Sequence, residues 1–146
     1  MITQKIQDFL EHQKLGYVAT VSSDGKPNVS PKGTILGWNS KMLVFADIRS
    51  PDSIKNLKTN PHVEINVIDP ILRKGYLFKG KGRVVSTGDT FEDILKYYRT
   101  KGIKSKINSI VLVTVSDILE VTSPLYDLGI SEQEIRSKWK KHFELS

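Results

Sequence analysis

The sequence predicts a mainly β protein of the α+β class: an antiparallel β-barrel with helical covers. Three observations lead there. Most of the chain from Gly16 to Thr122 alternates apolar and polar residues with a period of two. Neighbouring runs are separated by short turn signals, Asp24-Gly25 and Asn39-Ser40 among them, which join strands antiparallel. Segments of helical period fall between hairpins instead of between every pair of strands, which argues against a doubly wound parallel sheet.

Residues 2 to 13 set Ile2, Ile6, Phe9 and Leu10 at helical spacing, one apolar stripe for a core. "YVATVSS" and "KPNVS" then form a hairpin about Asp24-Gly25, and "TILGW" and "MLVFAD" form a second. In "SPDSIKNLKTNP" proline, aspartate and serine open a short helix with Ile54 and Leu57 on its apolar side, ended by Asn60-Pro61. "HVEINVID" and "GYLFKGKGRVVST" resume the alternation, and Gly80 and Gly82 mark a bulge or tight bend. Thr90 and Asp93 make a capping-box pattern for a helix stopped by Gly102. "SIVLVTVSDILEVTS" reads as a long strand, and "SEQEIRSKWKKHF" as a final helix opened by a Ser131/Glu134 box.

The 146 residues fit a single domain spanning 1–146, long enough for a core without disulfides or a structural metal. With no cysteine, disulfide scaffolds, thiolate catalysis and cysteine-ligated metals are excluded. His12, His62 and His142 are too scattered to read as a metal site. No run of about 18 apolar residues is present to span a bilayer. The amphipathic "MITQKIQDFLEHQK" lacks an apolar secretory core, so the expectation is a cytoplasmic protein without a membrane partner. A net charge of +6 attracts anions, but the basic residues are dispersed and no nucleic-acid motif accompanies them.

The strand "NVSPKGTI" contains Ser30, Pro31, Lys32 and Gly33, poor material for a strand interior. Together with "DIRSPDSIKNL" it puts hydroxyls and cations where a strand ends or a helix begins. Two readings stand on this chemistry. Lys32, Arg49 and Lys55 with Ser30, Ser50 and Ser53 suffice to hold a phosphomonoester. Equally, Pro31 ends an edge strand, Ser53 caps a helix and the lysines face water. No acid–base pair, nucleophile–base couple or metal cluster is apparent, which suits a protein whose cofactor carries the chemistry. Trp38, Trp139, Tyr76 and Tyr126 are the aromatics available for stacking.

The span from "LGYVATVSSDGKPNVSPKGTI" through "MLVFADIRSPDSIKNLKTNPHVEINVID" to "GYLFKGKGRVV" resembles the pyridoxamine 5′-phosphate oxidase-like family of flavin-binding split barrels. The resemblance covers roughly residues 7 to 122, and its specificity lies in the order of features. It implies a six-stranded antiparallel split β-barrel, a homodimer, and FMN in a groove at the dimer interface. It further implies that Val29, Ser30, Pro31, Lys32 and Gly33 lie along the flavin and ribityl chain, with Lys32 toward the phosphate. Phe45, Ala46 and Asp47 would flank the flavin from the next strand, and Ser50, Ser53, Lys55 and Asn56 would complete the phosphate site. The implied activity is that of an oxidoreductase passing electrons from a nicotinamide donor to a small-molecule or macromolecular acceptor. A non-catalytic flavin or F420 binding or sensing module is the alternative, and a basic nucleic-acid-associated barrel a weaker one.

The sequence departs from the oxidases where they carry arginines: the loop here reads "SPDSIKNL", and the chain ends "WKKHFELS" in place of an arginine-rich motif. Lysine still serves a phosphate as a point charge, whereas the vitamin B6 activity is not implied. If the positive charge serves phosphate binding and solubility alone, DNA binds only in the non-specific range of about 10⁻⁴ to 10⁻⁶ M, with a steep salt dependence. Fluorescence anisotropy with labelled DNA checks this, and sub-micromolar, sequence-dependent binding at physiological salt contradicts it.

Overall fold

The computed structural model describes residues 1–49 and 51–146. In chain order its elements are α1 (Gln4–Gln13), β1 (Gly16–Val21), β2 (Pro27–Lys32), β3 (Leu36–Gly37), β4 (Met42–Asp47), α2 (Pro51–Thr59), β5 (His62–Asp69), β6 (Lys74–Val85), α3 (Asp89–Thr100), β7 (Ser109–Thr122) and α4 (Glu132–His142), with a 3₁₀ turn at Pro124–Leu128 before α4. Among the described residues the strands form one curled antiparallel sheet in the order β2-β1-β5-β6-β7-β4-β3. This is the split-barrel fold, with seven strands where the family resemblance implies six. The two-residue β3 is one of the seven and pairs with Leu43 and Val44 of β4.

Local chemistry explains most boundaries. Thr3 caps α1 by accepting from the Ile6 amide, and Lys14 ends it in the left-handed conformation. The β1–β2 hairpin turns at Gly25, whose φ of +81° a side chain would resist. Ser131 caps α4 through the Glu134 amide, as the capping box predicts. The Thr90/Asp93 box does not form. The helix begins one residue earlier, at Asp89, and its N-cap is Gly88, which has no side chain to offer. The expected bulge lies in β6, where the register with β7 shifts between Lys79 and Gly80. A Cβ on Gly80 would lie 2.3 Å from the Thr114 carbonyl oxygen, so the two strands close only around glycine.

Two apolar cores lie on the two faces of this sheet. The inner one gathers Ile6 and Leu10 of α1, Ile54 and Leu57 of α2, and inward residues such as Val18, Phe45, Ile65, Phe78 and Val111. The outer one packs Phe91, Ile94 and Tyr98 of α3 against Val44, Ala46, Ile110 and Leu112. β4 and the first half of β7 are therefore buried on both faces, which accounts for the continuous apolar run "SIVLV".

The outer core is tied to the β2–β3 connection by a single buried phenol. Tyr98 is fully buried, its hydroxyl donates to the Thr34 carbonyl at 2.8 Å, and burial pushes its pKa above the usual tyrosine range, so it remains a donor. Tyr98→Phe leaves that carbonyl unpaired and is expected to lower unfolding stability by about 1–3 kcal/mol with the fold retained. Urea denaturation of the variant and the parent measures the loss.

Candidate functional site

Strand parity divides the Ser-Pro-Lys-Gly segment between two faces. Pro27, Val29 and Pro31 are exposed, while Asn28 and Ser30 are half-buried and Lys32 is only 6% exposed. The register pairs Ser30 with Val18, Asn28 with Thr20 and Lys32 with Gly16, so the polar side chains of β2 share the inner face with the buried residues of β1. Lys32 Nζ donates to Ser30 Oγ at 2.7 Å. Burial pulls the Lys32 pKa below the ordinary lysine range, and the negative charge of Asp47 partly opposes this.

α2 packs against β1 and β2 and closes the other side of this polar face. Asn56 Nδ2 donates to Thr20 Oγ1 at 3.1 Å, and both residues are buried. Ser53 is also buried, and among the described residues its hydroxyl has no hydrogen-bond partner. It is the third residue of a helix beginning at Pro51, so it lies within the first turn instead of capping it, beside the free amides and partial positive charge of the helix start. A fully buried hydroxyl without a partner is uncommon, and at a helix N-terminus it is placed to meet an anion.

β4 supplies the third side. Thr34 Oγ1 accepts the Ala46 amide at 2.9 Å, which holds the chain two residues past Lys32 against the end of β4. Asp47, the last residue of β4, is half-buried and accepts from Ser109 Oγ at 3.3 Å, while its carbonyl takes the Asn108 amide at 3.0 Å. Asp47 also lines a cavity of about 700 Å³ with Lys58, Arg83, Ser86, Asn108 and Ser109.

The residues expected to form the site are thus not all gathered together. Ser30, Lys32, Ser53 and Asn56 belong to one buried polar region, and Asp47 adjoins it through its charge on Lys32. Val29 and Pro31 point to the opposite face, where Val29 is 62% exposed. Gly33 lines a different cavity beside Lys14 and Leu36. Phe45 and Ala46 are buried in the inner and outer cores respectively, so their side chains contribute to packing. Lys55 and Arg49 are exposed, Lys55 on the outward side of α2. Ser50 lies outside the described residues. Sequence reasoning missed Thr20 and Thr34, although Thr20 shares the parity of the buried Val18, which is a readable signal.

The candidate stacking aromatics all have partners inside the chain. Trp38 meets Tyr97 edge-on, Tyr76 meets Phe9, the Arg73 guanidinium lies 3.4 Å from the Trp139 ring centroid, and the Tyr126 hydroxyl donates to the Leu72 carbonyl. Among the described residues no cluster of histidine and carboxylate groups forms a metal site, and no helix is long and apolar enough to cross a membrane.

Comparison with known proteins places this geometry in context. The family model described as pyridoxamine 5′-phosphate oxidase matches residues 2–120. Among solved structures, a V5- and hexahistidine-tagged HupZ of Group A Streptococcus superposes with a TM-score of 0.76 at 28% identity, covering 84% of this chain and 96% of that one. An FMN-binding protein from Syntrophomonas wolfei subsp. wolfei gives 0.69 at 14% identity, covering 82% and 86%. An F420 reductase gives 0.60 at 23% identity, covering 80% and 98%, and like the preceding one speaks to the fold alone. No curated protein matches. With 119 consecutive residues matched by one family model and the split barrel in place, the chain belongs to the pyridoxamine 5′-phosphate oxidase family.

Proposed function

We propose that this protein binds FMN through its phosphate at the polar region between β2 and α2, and acts as a flavin-dependent oxidoreductase with a nicotinamide donor. The observation that supports this reading best is the buried hydroxyl of Ser53 in the first turn of α2, which has no partner among the described residues and lies close to a face that also buries Lys32. Those residues fit a phosphate: a cation, hydroxyls and helix amides are the donor set such a group requires. Ser53 and Lys32 hold and orient the phosphoryl oxygens, and Asn56 and Thr20 keep α2 in register with β1 through their mutual bond. When bound, the flavin supplies hydride and electron transfer, which matches the lack of a protein acid–base pair.

The working unit in this proposal is a homodimer. The apolar segments "TILGW" and "SIVLVTV" offer little surface to a partner, because Ile35, Leu36 and most of that β7 run are buried within the chain. What supports association instead is the helix-free face where Pro31, Tyr17, Asn66, Leu77 and Leu119 line up across β2, β1, β5, β6 and β7. Tyr17, Val29 and Leu119 are exposed there. Light scattering at micromolar protein tests the dimer, and a 16.5 kDa species with FMN bound contradicts it.

Lys32→Ala is expected to weaken FMN about ten- to hundredfold by equilibrium dialysis and to leave riboflavin, which has no phosphate, nearly unchanged. Lys55→Ala, on the exposed side of α2, costs less. Equal losses for FMN and riboflavin contradict the phosphate assignment. Anaerobic bleaching of the bound flavin by NADH or NADPH tests the enzyme, and a flavin that resists both supports a binding module.

The same lysine leaves a signature in stability. Its folded pKa is depressed, so between that value and the ordinary lysine range the unfolded chain binds more protons, and stability rises with pH there. Below that window both states carry the charge, and the folded state bears the desolvation cost. Lys32→Met therefore unfolds at a higher urea midpoint than the parent near neutral pH, and the gap narrows toward about pH 10.

A further inference from the structure

The span matched by the family model ends at residue 120, and the chain runs on through the 3₁₀ turn and α4. This tail is pinned to the turn between β5 and β6. The Ser123 amide donates to the Arg73 carbonyl at 2.9 Å, the Tyr126 hydroxyl donates to the Leu72 carbonyl at 2.6 Å, and Lys74 Nζ pairs with Glu132 at 2.7 Å. The Arg73 guanidinium on the Trp139 ring adds a fourth contact. Between the tail and α1 lies a cavity of about 660 Å³, bounded also by the start of β6 and the end of β7. None of its lining residues belongs to β1, β2 or α2. Leu57 of α2 packs beside Gly82, whereas the cavity touches β6 at Gly75, roughly 20 Å away along the strand.

The walls are apolar and the rim is charged. Phe9 of α1 meets Tyr76 edge-on, with ring centroids 5.2 Å apart and planes at 83°, and Leu72 and Tyr126 stand half-buried beside them. Two rings set in this way form a corner in which a third flat ring can stack. Most of the ionised groups around the corner are already engaged. Asp69 accepts the Ile71 and Leu72 amides, Asp8 accepts from Gln4 Nε2, and Lys74 holds Glu132. Arg136 follows Glu132 by four residues and so shares its side of α4. It is half-buried and makes no hydrogen bond or ion pair among the described residues. Lys5 and His12 on α1 are likewise unbonded, as is Glu120, which pairs across the strands with Tyr76.

We propose that this cavity is a second ligand site, separate from the flavin region, for a planar aromatic molecule carrying one carboxylate. Phe9 and Tyr76 receive the ring, and Arg136 pairs with the carboxylate, whose geometry matches the forked donors of a guanidinium. A second carboxylate is disfavoured. Asp8, Asp69, Glu120 and Glu132 surround the cavity against Lys5, Lys74, Arg136 and the histidine, which leaves no surplus of positive charge for it. The site does not depend on the phosphate assignment, because the two share no residue.

Isothermal titration calorimetry of the full chain, with and without saturating FMN, tests the proposal with 2-naphthoate as the probe. The expected result is one site per chain that FMN leaves unchanged. The neutral 2-naphthamide and the non-aromatic cyclohexanecarboxylate should each bind about tenfold more weakly, and naphthalene-2,6-dicarboxylate no more tightly than the monoacid. Arg136→Gln should weaken naphthoate about tenfold and abolish the preference for acid over amide, and Arg136→Lys should restore part of it. Phe9→Leu should weaken acid and amide alike. The comparison of probes on the parent needs no variant, so it stands even if a variant folds poorly.

No binding at about 1 mM naphthoate overturns the proposal, as does displacement of naphthoate by FMN, which would place it in the flavin region. Equal affinity for acid and amide in the parent, or an acid preference that persists in Arg136→Gln, overturns the assignment of the carboxylate to Arg136.

Discussion

The pairing of β6 with β7 is the constraint on which the rest of the molecule depends. The two strands pair from Lys74 against Thr122 to Val85 against Ile110, with one register shift at Lys79/Gly80, and β7 carries β4 on its other edge. Consecutive residues of β7 serve opposite cores: Ile110 and Leu112 face α3, while Val111 and Val113 face the barrel interior. Neither core survives loss of this strand, because each draws one wall from it. The bulge at Lys79/Gly80 lets so long a pair curl, and the absent side chain of Gly80 permits the close approach at Thr114. Curling brings the inner faces of β1 and β6 to opposite sides of one interior, and α2 is packed against both.

At the β1/β2 end that interior ceases to be apolar. Thr20, Ser30 and Lys32 on the inward parity of β1 and β2, and Ser53 and Asn56 on the buried side of α2, stand where hydrophobic residues are usual. Burying polar groups costs free energy unless each finds a partner, and two of the pairs do: Asn56 with Thr20, and Lys32 with Ser30. Among the described residues the Ser53 hydroxyl does not, and burial holds the Lys32 pKa below the ordinary lysine range. A fold stabilised by its long central pair tolerates such a local deficit, and sites with unmet polar demand are where ligands bind.

Much of this was legible in the sequence. The hairpin turns, the position of the β6 bulge and the Ser131 cap follow from local residue chemistry, and local chemistry is what a sequence displays most directly, although the starts of α2 and α3 differ from their expected caps. The order of seven alternating runs was likewise readable. Less visible was which side of β2 looks inward, because that depends on pairing with β1 and on the placing of α2. Listing Val29 through Gly33 as one group therefore joined residues that the pleat sends to opposite faces. The same limit applies to α2, where Ser53 and Asn56 turn inward while Lys55 turns out. That the side chains of Phe45 and Ala46 go into the two cores was hidden for a different reason: burial of β4 on both faces is decided by α3, a helix more than forty residues further along the chain.

β2 is an edge strand of the sheet, at the opposite border from β3, and it contains prolines at both 27 and 31. Neither has an amide hydrogen, so this border lacks the regular row of donors that an incoming strand would need. Filament growth by strand addition is blocked along that border in the native state, even though the neighbouring face is rich in apolar side chains. The residues that look misplaced in a strand thus also keep this border of the sheet from being extended by another chain.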